Sequence, residues 1–155
     1  MYARTVRPVT PASQVRSVMV WPVATVDGRA TLSEVAEALA ADEVGALCVT
    51  EDGYLAGIIS ERDVVAHLAT GADPARLAAA EVMSNDLVTA SPDESVLDAA
   101  RRMEDAQVRH LPVLDAGLIA GIVSMRDLFA VLLDDGREPT EVVLRSGMRV
   151  VVVAE

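Results

Sequence analysis

Two short stretches of the chain set the same three reactive side chains at the same spacing. Gly57-Ile58-Ile59-Ser60-Glu61-Arg62-Asp63 and Gly121-Ile122-Val123-Ser124-Met125-Arg126-Asp127 lie 64 positions apart and agree at five of seven positions. In each, an apolar run reads as a strand and the serine stands where a helix begins. Main-chain N–H groups and the helix dipole at such a junction favour an anion. Arg62 and Arg126 are natural phosphate partners, because a guanidinium stays charged and forks onto two oxygens. Asp63 and Asp127, one turn in, can each accept two hydrogen bonds from the diol of a ribose. Ile58 and Ile122 offer an apolar wall to a flat ring. The same residues admit a second reading. Ser-x-x-Asp is also a capping box, which accounts for serine and aspartate with no ligand at all. Capping calls neither for the arginine nor for the repetition.

The elements that must position these groups are themselves repeated. At the same offset Val18-Met19 aligns with Val82-Met83, Ala36 with Ala100, Val44 with Val108, Leu47 with Leu111 and Leu68 with Leu132. A gapless register over so long a stretch marks an internal duplication. Each copy reads as strand, helix, strand, strand, helix. In the first, Pro22 to Val26 predicts a strand ended by the turn pair Asp27-Gly28. Thr31 with Glu34 predicts a capped helix whose apolar face is Leu32, Val35, Ala36 and Leu39. Ala46–Thr50 and Tyr54–Ile59 predict a hairpin around Glu51-Asp52-Gly53, and a second helix follows over about Glu61–Ala69. In the second copy Ser95 opens the first helix. Leu111–Leu114 and Leu118–Val123 form the hairpin around Ala116-Gly117, and a helix starts near Met125. The organisation expected is an N-terminal extension (1–14), a first motif (15–70), a linker (71–80) with a helical turn at Pro74, a second motif (81–133) and a strand-rich tail (134–155). In that tail Glu141–Leu144 and Arg149–Val153 read as strands around Ser146-Gly147. An apolar edge of this kind invites pairing with another chain.

Composition narrows the function classes. With 155 residues and 52% hydrophobic side chains, the chain can bury a substantial core. Aromatics are only 3%, so the core must be aliphatic. The formal charge of −11 argues against a nucleic-acid polymer as partner but leaves a small nucleotide open. No apolar run approaches the ~20 residues of a membrane helix, and Met1–Val15 has no apolar signal core. A single cysteine, Cys48, fits a reducing cytoplasm. Cys48, His67 and His110 lack metal-ligand spacing, and no catalytic Ser-His-Asp or Cys-His arrangement can be argued. The expectation is therefore neither a metal site nor an enzyme.

The duplicated pattern resembles a tandem pair of CBS domains (named after cystathionine β-synthase), the Bateman module. The resemblance covers roughly residues 15–133. It rests on the Met-containing entries Val18-Met19 and Val82-Met83, the strands Gly45-Ala46-Leu47-Cys48-Val49 and Arg109-His110-Leu111-Pro112-Val113, and the Gly-apolar-apolar-Ser-x-Arg-Asp phrase. The first copy departs from the family at Cys48, where Pro112 stands in the second. The resemblance implies an α/β fold of two pseudo-symmetric β-α-β-β-α repeats packed through their sheets. It also implies two clefts that often bind adenosine compounds such as AMP, ADP or ATP, in other members S-adenosylmethionine, NAD-type ligands or metal and in some no known ligand, and it implies sensing in place of catalysis.

By the family's pattern each cleft is composite. The one with Ile122, Ser124, Arg126 and Asp127 would draw on Met19, Ala24, Val44, Gly45 and Ala46. The one with Ile58, Ser60, Arg62 and Asp63 would draw on Met83, Val88, Val108, Arg109 and His110. On that assignment the Asp63 cleft is the more cationic and should better suit a polyphosphate. Arg109 can equally be a solvated strand-end charge, and His110 a half-buried strand residue. The functional expectation is a regulatory sensor that needs no cofactor for chemistry, forms a homodimer and signals to an effector protein in trans. The alternative is a ligand-free scaffold in which the repeat supplies only an interaction surface.

Overall fold

The computed structural model describes residues 12–133, 141–143 and 149–151. The first copy forms β1 (Thr25–Asp27), α1 (Leu32–Asp42), β2 (Ala46–Glu51), β3 (Tyr54–Ser60) and α2 (Glu61–Ala69). A short helix, α3 (Ala79–Val82), precedes the second copy: α4 (Val96–Ala106), β4 (His110–Asp115), β5 (Leu118–Ser124) and α5 (Met125–Leu133). A 3₁₀ turn at Val15–Ser17 stands in the place of α3 before the first copy. In the tail, β6 (Glu141–Val143) and β7 (Arg149–Val151) pair antiparallel, which is the hairpin of the two arrangements open to those strands, a hairpin or an added edge strand. Its turn at Ser146-Gly147 and the end of α5 at Asp134-Asp135-Gly136 lie outside the described residues.

Local chemistry sets these boundaries. Thr31 caps α1 through a full capping box with Glu34. The helix then buries Leu32, Val35 and Leu39, so the helical spacing read from the sequence is the buried face. The β2–β3 hairpin turns through Asp52 (φ 51°) and Gly53 (φ 83°), and β4–β5 through Ala116 (φ 48°) and Gly117 (φ 80°). Positive φ at both turn positions matches the right-handed twist of the flanking strands.

The two sheets differ. In the first copy the order is β1-β2-β3, with β1 parallel to β2. In the second only β4 and β5 form strands, and Ala90 makes a single parallel bridge to Val113. The reason lies in one residue pair. The Cys48 N–H donates to the Ala24 carbonyl (3.3 Å) and extends the first ladder. Pro112, its counterpart, has no N–H to give to Val88. The expected strand at Pro22–Val26 is also shorter than read: residues 22–24 are not strand and run along a cavity instead.

The copies exchange their entry segments. Val20 bridges Ile122 and Ser84 bridges Ile58; Gln14 bridges Ser95 and Ala78 bridges Thr31. Each pair maps onto the other by the 64-residue offset, which is the signature of an internal pseudo-two-fold axis. The cores follow the exchange. Val15, with Val18 and Met19 against it, packs into the core of the second copy around Leu111, Val123 and Leu128. Ala79, Val82 and Met83 pack into the core of the first copy around Leu47, Ile59 and Leu32. Neither core is complete without the other copy's entry. No polar or charged residue is fully buried among the described residues, so aliphatic burial carries the stability.

Candidate functional site

Because each entry segment crosses to the other copy, a cleft forms between entry and phrase. A cavity of about 1260 Å³ opens there on the α5 side. Val20, Pro22, Val23 and Ala24 form one wall, and Asp42 to Ala46 continue it from the end of α1. Ile122, Ser124, Arg126 and Asp127 face them, with Met125, Phe129 and Ala130 beyond. The volume exceeds what a nucleotide needs.

Several expected site residues meet here. Ala24, Val44, Gly45, Ala46, Ile122, Ser124, Arg126 and Asp127 all line the one cavity. Arg109 and His110 line it too, although the sequence pattern assigned them to the Asp63 cleft. The pseudo-two-fold axis explains the difference. His110 pairs with Ser124 across the β4–β5 hairpin, which sets it beside the start of α5. Its ring also fills the space left by the missing side chain of Gly45, where a Cβ would stand 3.3 Å from Nε2. Arg109 and His110 therefore line the same cavity as Asp127, while His110 also feels the charge of Glu61 at the start of α2.

Met19 and Met83 have a different place. The Met19 side chain lies on Gly121, where a Cβ would come within 2.7 Å of its sulfur. Met83 lies on Gly57 in the same way, together with the Ser84 carbonyl oxygen, 2.9 Å from the Cβ position. The phrase glycines thus admit a methionine from the other copy's entry. Val88 and Val108 pack against the core of the second copy, as Ala24 and Val44 do against the first.

Both capping boxes are present. Asp63 Oδ2 accepts from the Ser60 N–H (2.7 Å) and hydroxyl (2.8 Å), while the Asp63 N–H donates to Ser60 Oγ (3.3 Å). Asp127 Oδ2 accepts from the Ser124 N–H (3.1 Å) and hydroxyl (2.7 Å), and its own N–H donates to Ser124 Oγ (3.1 Å). Each carboxylate contact uses Oδ2. The capping reading of the phrase is therefore met in full, and the second oxygen of each carboxylate retains acceptor capacity.

The charges are distributed in a telling way. Arg16, Arg29, Arg76, Arg101 and Arg102 each pair with a carboxylate. Arg62, Arg109 and Arg126 have no carboxylate partner among the described residues, despite a net charge of −11. Those three are the arginines of the two phrases and of the cleft. His110 is held below its ordinary pKa mainly by burial; Asp127 pulls it up, Arg109 pushes it down and Glu61 pulls it up. The imidazole accordingly favours its neutral form. Burial raises the Cys48 thiol to about 11, so it is an inert core group. Among the described residues no cluster of three or more His, Cys, Asp or Glu is placed to hold a metal ion. No helix among them is long and apolar enough to cross a membrane.

Comparison with known proteins agrees with this architecture. The family model of the CBS domain matches twice, over residues 15–70 and 79–134. The CBS domain-containing protein YhcV of Bacillus subtilis is 35% identical over 116 residues, covering 75% of this chain and 83% of YhcV. The mitochondrial CBS domain-containing protein CBSX3 of Arabidopsis thaliana is 34% identical over 115 residues, and the chain covers 55% of it. Among solved structures, the CBS domain pair of protein MJ0100 superposes with a TM-score of 0.72 at 26% identity, covering 77% of this chain and 95% of that one. That pair was solved in complex with 5′-methylthioadenosine and S-adenosyl-L-methionine. The duplication, the exchanged entries and these matches agree: the chain belongs to the CBS domain family and carries two copies of the domain.

Proposed function

We propose that the protein is a regulatory sensor that binds an adenosine-containing small molecule in the Asp127 cavity. One observation carries the reading: among the described residues Arg109 and Arg126 have no carboxylate partner, and both line this cavity. An acidic chain that leaves Arg109 and Arg126 unneutralised around one cavity is equipped for an anionic ligand. Asp127 Oδ1 would accept from a ribose hydroxyl while Oδ2 keeps the cap. Ile122 and Val23 would flank the base, and Arg109, Arg126 and His110 would meet phosphate. AMP, ADP and ATP fit this set. The adenosine compounds held by the related MJ0100 pair support the ligand class.

Signalling follows from the exchanged entries. A ligand touching residues 20–24 and the start of α5 bridges both copies, so it stabilises one relative packing over others. A partner protein would read that packing in a cytoplasmic setting. Val65 and Leu68, exposed on α2, support self-association into a homodimer.

The scaffold reading has its own support, because the two capping boxes explain Ser60, Asp63, Ser124 and Asp127 without a ligand. A thermal-shift screen with AMP, ADP, ATP, NAD, NADH and S-adenosylmethionine separates the two. At 100 times the dissociation constant a ligand adds about 2.7 kcal/mol and raises Tm by about 5 to 10 °C. A flat response to every compound at millimolar concentration would favour the scaffold.

A further inference from the structure

Trp21 is exposed on the entry segment that walls the Asp127 cavity. It is 69% exposed, yet its neighbours Val20 and Pro22 both line the Asp127 cavity. Leaving an indole in water forgoes a large apolar gain, so a tryptophan held at a cavity rim is equipped for a ligand surface. Its main chain is fixed in place. Val20 exchanges both hydrogen bonds with Ile122 (2.9 and 3.1 Å), which anchors the residue before Trp21 to the phrase strand.

The second observation is an asymmetry between the clefts. The rim residues Val20-Trp21-Pro22-Val23 correspond, 64 positions on, to Ser84-Asn85-Asp86-Leu87. Phe129, which lines the Asp127 cavity, corresponds to Val65. The chain has one tryptophan and one phenylalanine; Phe129 lines the Asp127 cavity, and Trp21 lies in the chain between Val20 and Pro22, which line it.

We infer that Trp21 is a base-stacking residue of the Asp127 cavity, so that this cleft selects ligands bearing an aromatic base over sugar phosphates alone. The inference rests on the proposed function and adds the part of the ligand that is recognised and the residue that recognises it. The indole swings over the base from the rim, while the phosphates lie toward Arg109 and Arg126. Asn85, at the equivalent place on the other side, cannot do the same.

Isothermal titration of the full chain with AMP and with ribose 5-phosphate tests this, using wild type, Trp21→Ala and Trp21→Phe. Because Trp21 is exposed, neither variant should lower Tm, and unchanged melting checks that both are folded. Stacking on an aromatic side chain is worth a factor of about 5 to 100 in affinity. Trp21→Ala should lose that factor for AMP and none for ribose 5-phosphate, and Trp21→Phe should regain most of it. Emission of the single tryptophan should change with AMP and not with ribose 5-phosphate. Unchanged AMP affinity in Trp21→Ala would overturn the inference and leave the nucleotide reading standing. Absence of AMP binding by wild type would overturn both.

Discussion

Val20 and Ile122 exchange both of their main-chain hydrogen bonds, at 2.9 and 3.1 Å, although they belong to different copies of the repeat. Ile58 and Ser84 do the same, at 3.0 and 2.9 Å, on the other side of the pseudo-two-fold axis. These rungs hold each entry segment on the other copy's phrase strand. The cavity exists because of them: one wall is an entry and the facing wall is a phrase.

Packing at the phrase glycines should separate the two sides. The three atoms nearest a Cβ at Gly121 all belong to the Met19 side chain, whereas those nearest a Cβ at Gly57 include the fixed Ser84 carbonyl oxygen. Each change should cost about 1 to 3 kcal/mol in urea unfolding. Shortening Met19 to alanine should relieve part of the Gly121→Ala penalty, giving a coupling of at least about 0.5 kcal/mol. Shortening Met83 should relieve less of the Gly57→Ala penalty. Strictly additive losses in the first pair would mean that Met19 and Gly121 do not share one space.

Cys48 should be chemically silent in the native state. Burial raises its thiol to about 11, so little thiolate exists at pH 8. A disulfide reagent such as DTNB should leave the folded protein unlabelled for hours and titrate one thiol after unfolding. Rapid labelling of the native protein would show that the β2 core opens.

His110 should make stability depend on pH. Its folded pKa lies below the ordinary value of 6.5, with burial as the main cause, so the unfolded chain takes up a proton before the folded one does. The contribution is fully present above about pH 6.5 and is lost as pH falls through the lower folded value. Urea unfolding of wild type should weaken over that window more steeply than that of His110→Gln. Parallel pH profiles for the two proteins would show that His110 is not held neutral.

The repeat, its register and the capped helices were all legible in the sequence, because helical spacing, Thr31 with Glu34 and the turn pairs are local signals. The phrase chemistry was legible for the same reason. The position of the pseudo-two-fold axis was not. Arg109 and His110 fall at equivalent places to Gly45 and Ala46, and only the packed sheets show that His110 sits in the gap above Gly45 and beside Asp127. The packing of Met19 on Gly121 was not legible either, because only the fold brings one copy's entry onto the other copy's phrase glycine. The missing strand of the second copy was written in Pro112, but its effect appears only once the Cys48 N–H is seen bonding Ala24. Trp21 escaped notice because it has no counterpart in the second copy, and the repeat directs attention to what recurs.

The central claim is that the Asp127 cavity binds an adenosine compound. Isothermal titration of AMP into wild type, Asp127→Ala and Asp63→Ala tests it most directly. Hydrogen bonds to a charged group are worth about 1.5 to 3 kcal/mol, so Asp127→Ala should weaken binding by about 10- to 100-fold. Asp63→Ala removes an equivalent helix cap on the other side and should leave that affinity within about twofold. Equal losses in both variants, or none in Asp127→Ala, would contradict the assignment of the ligand to this cavity.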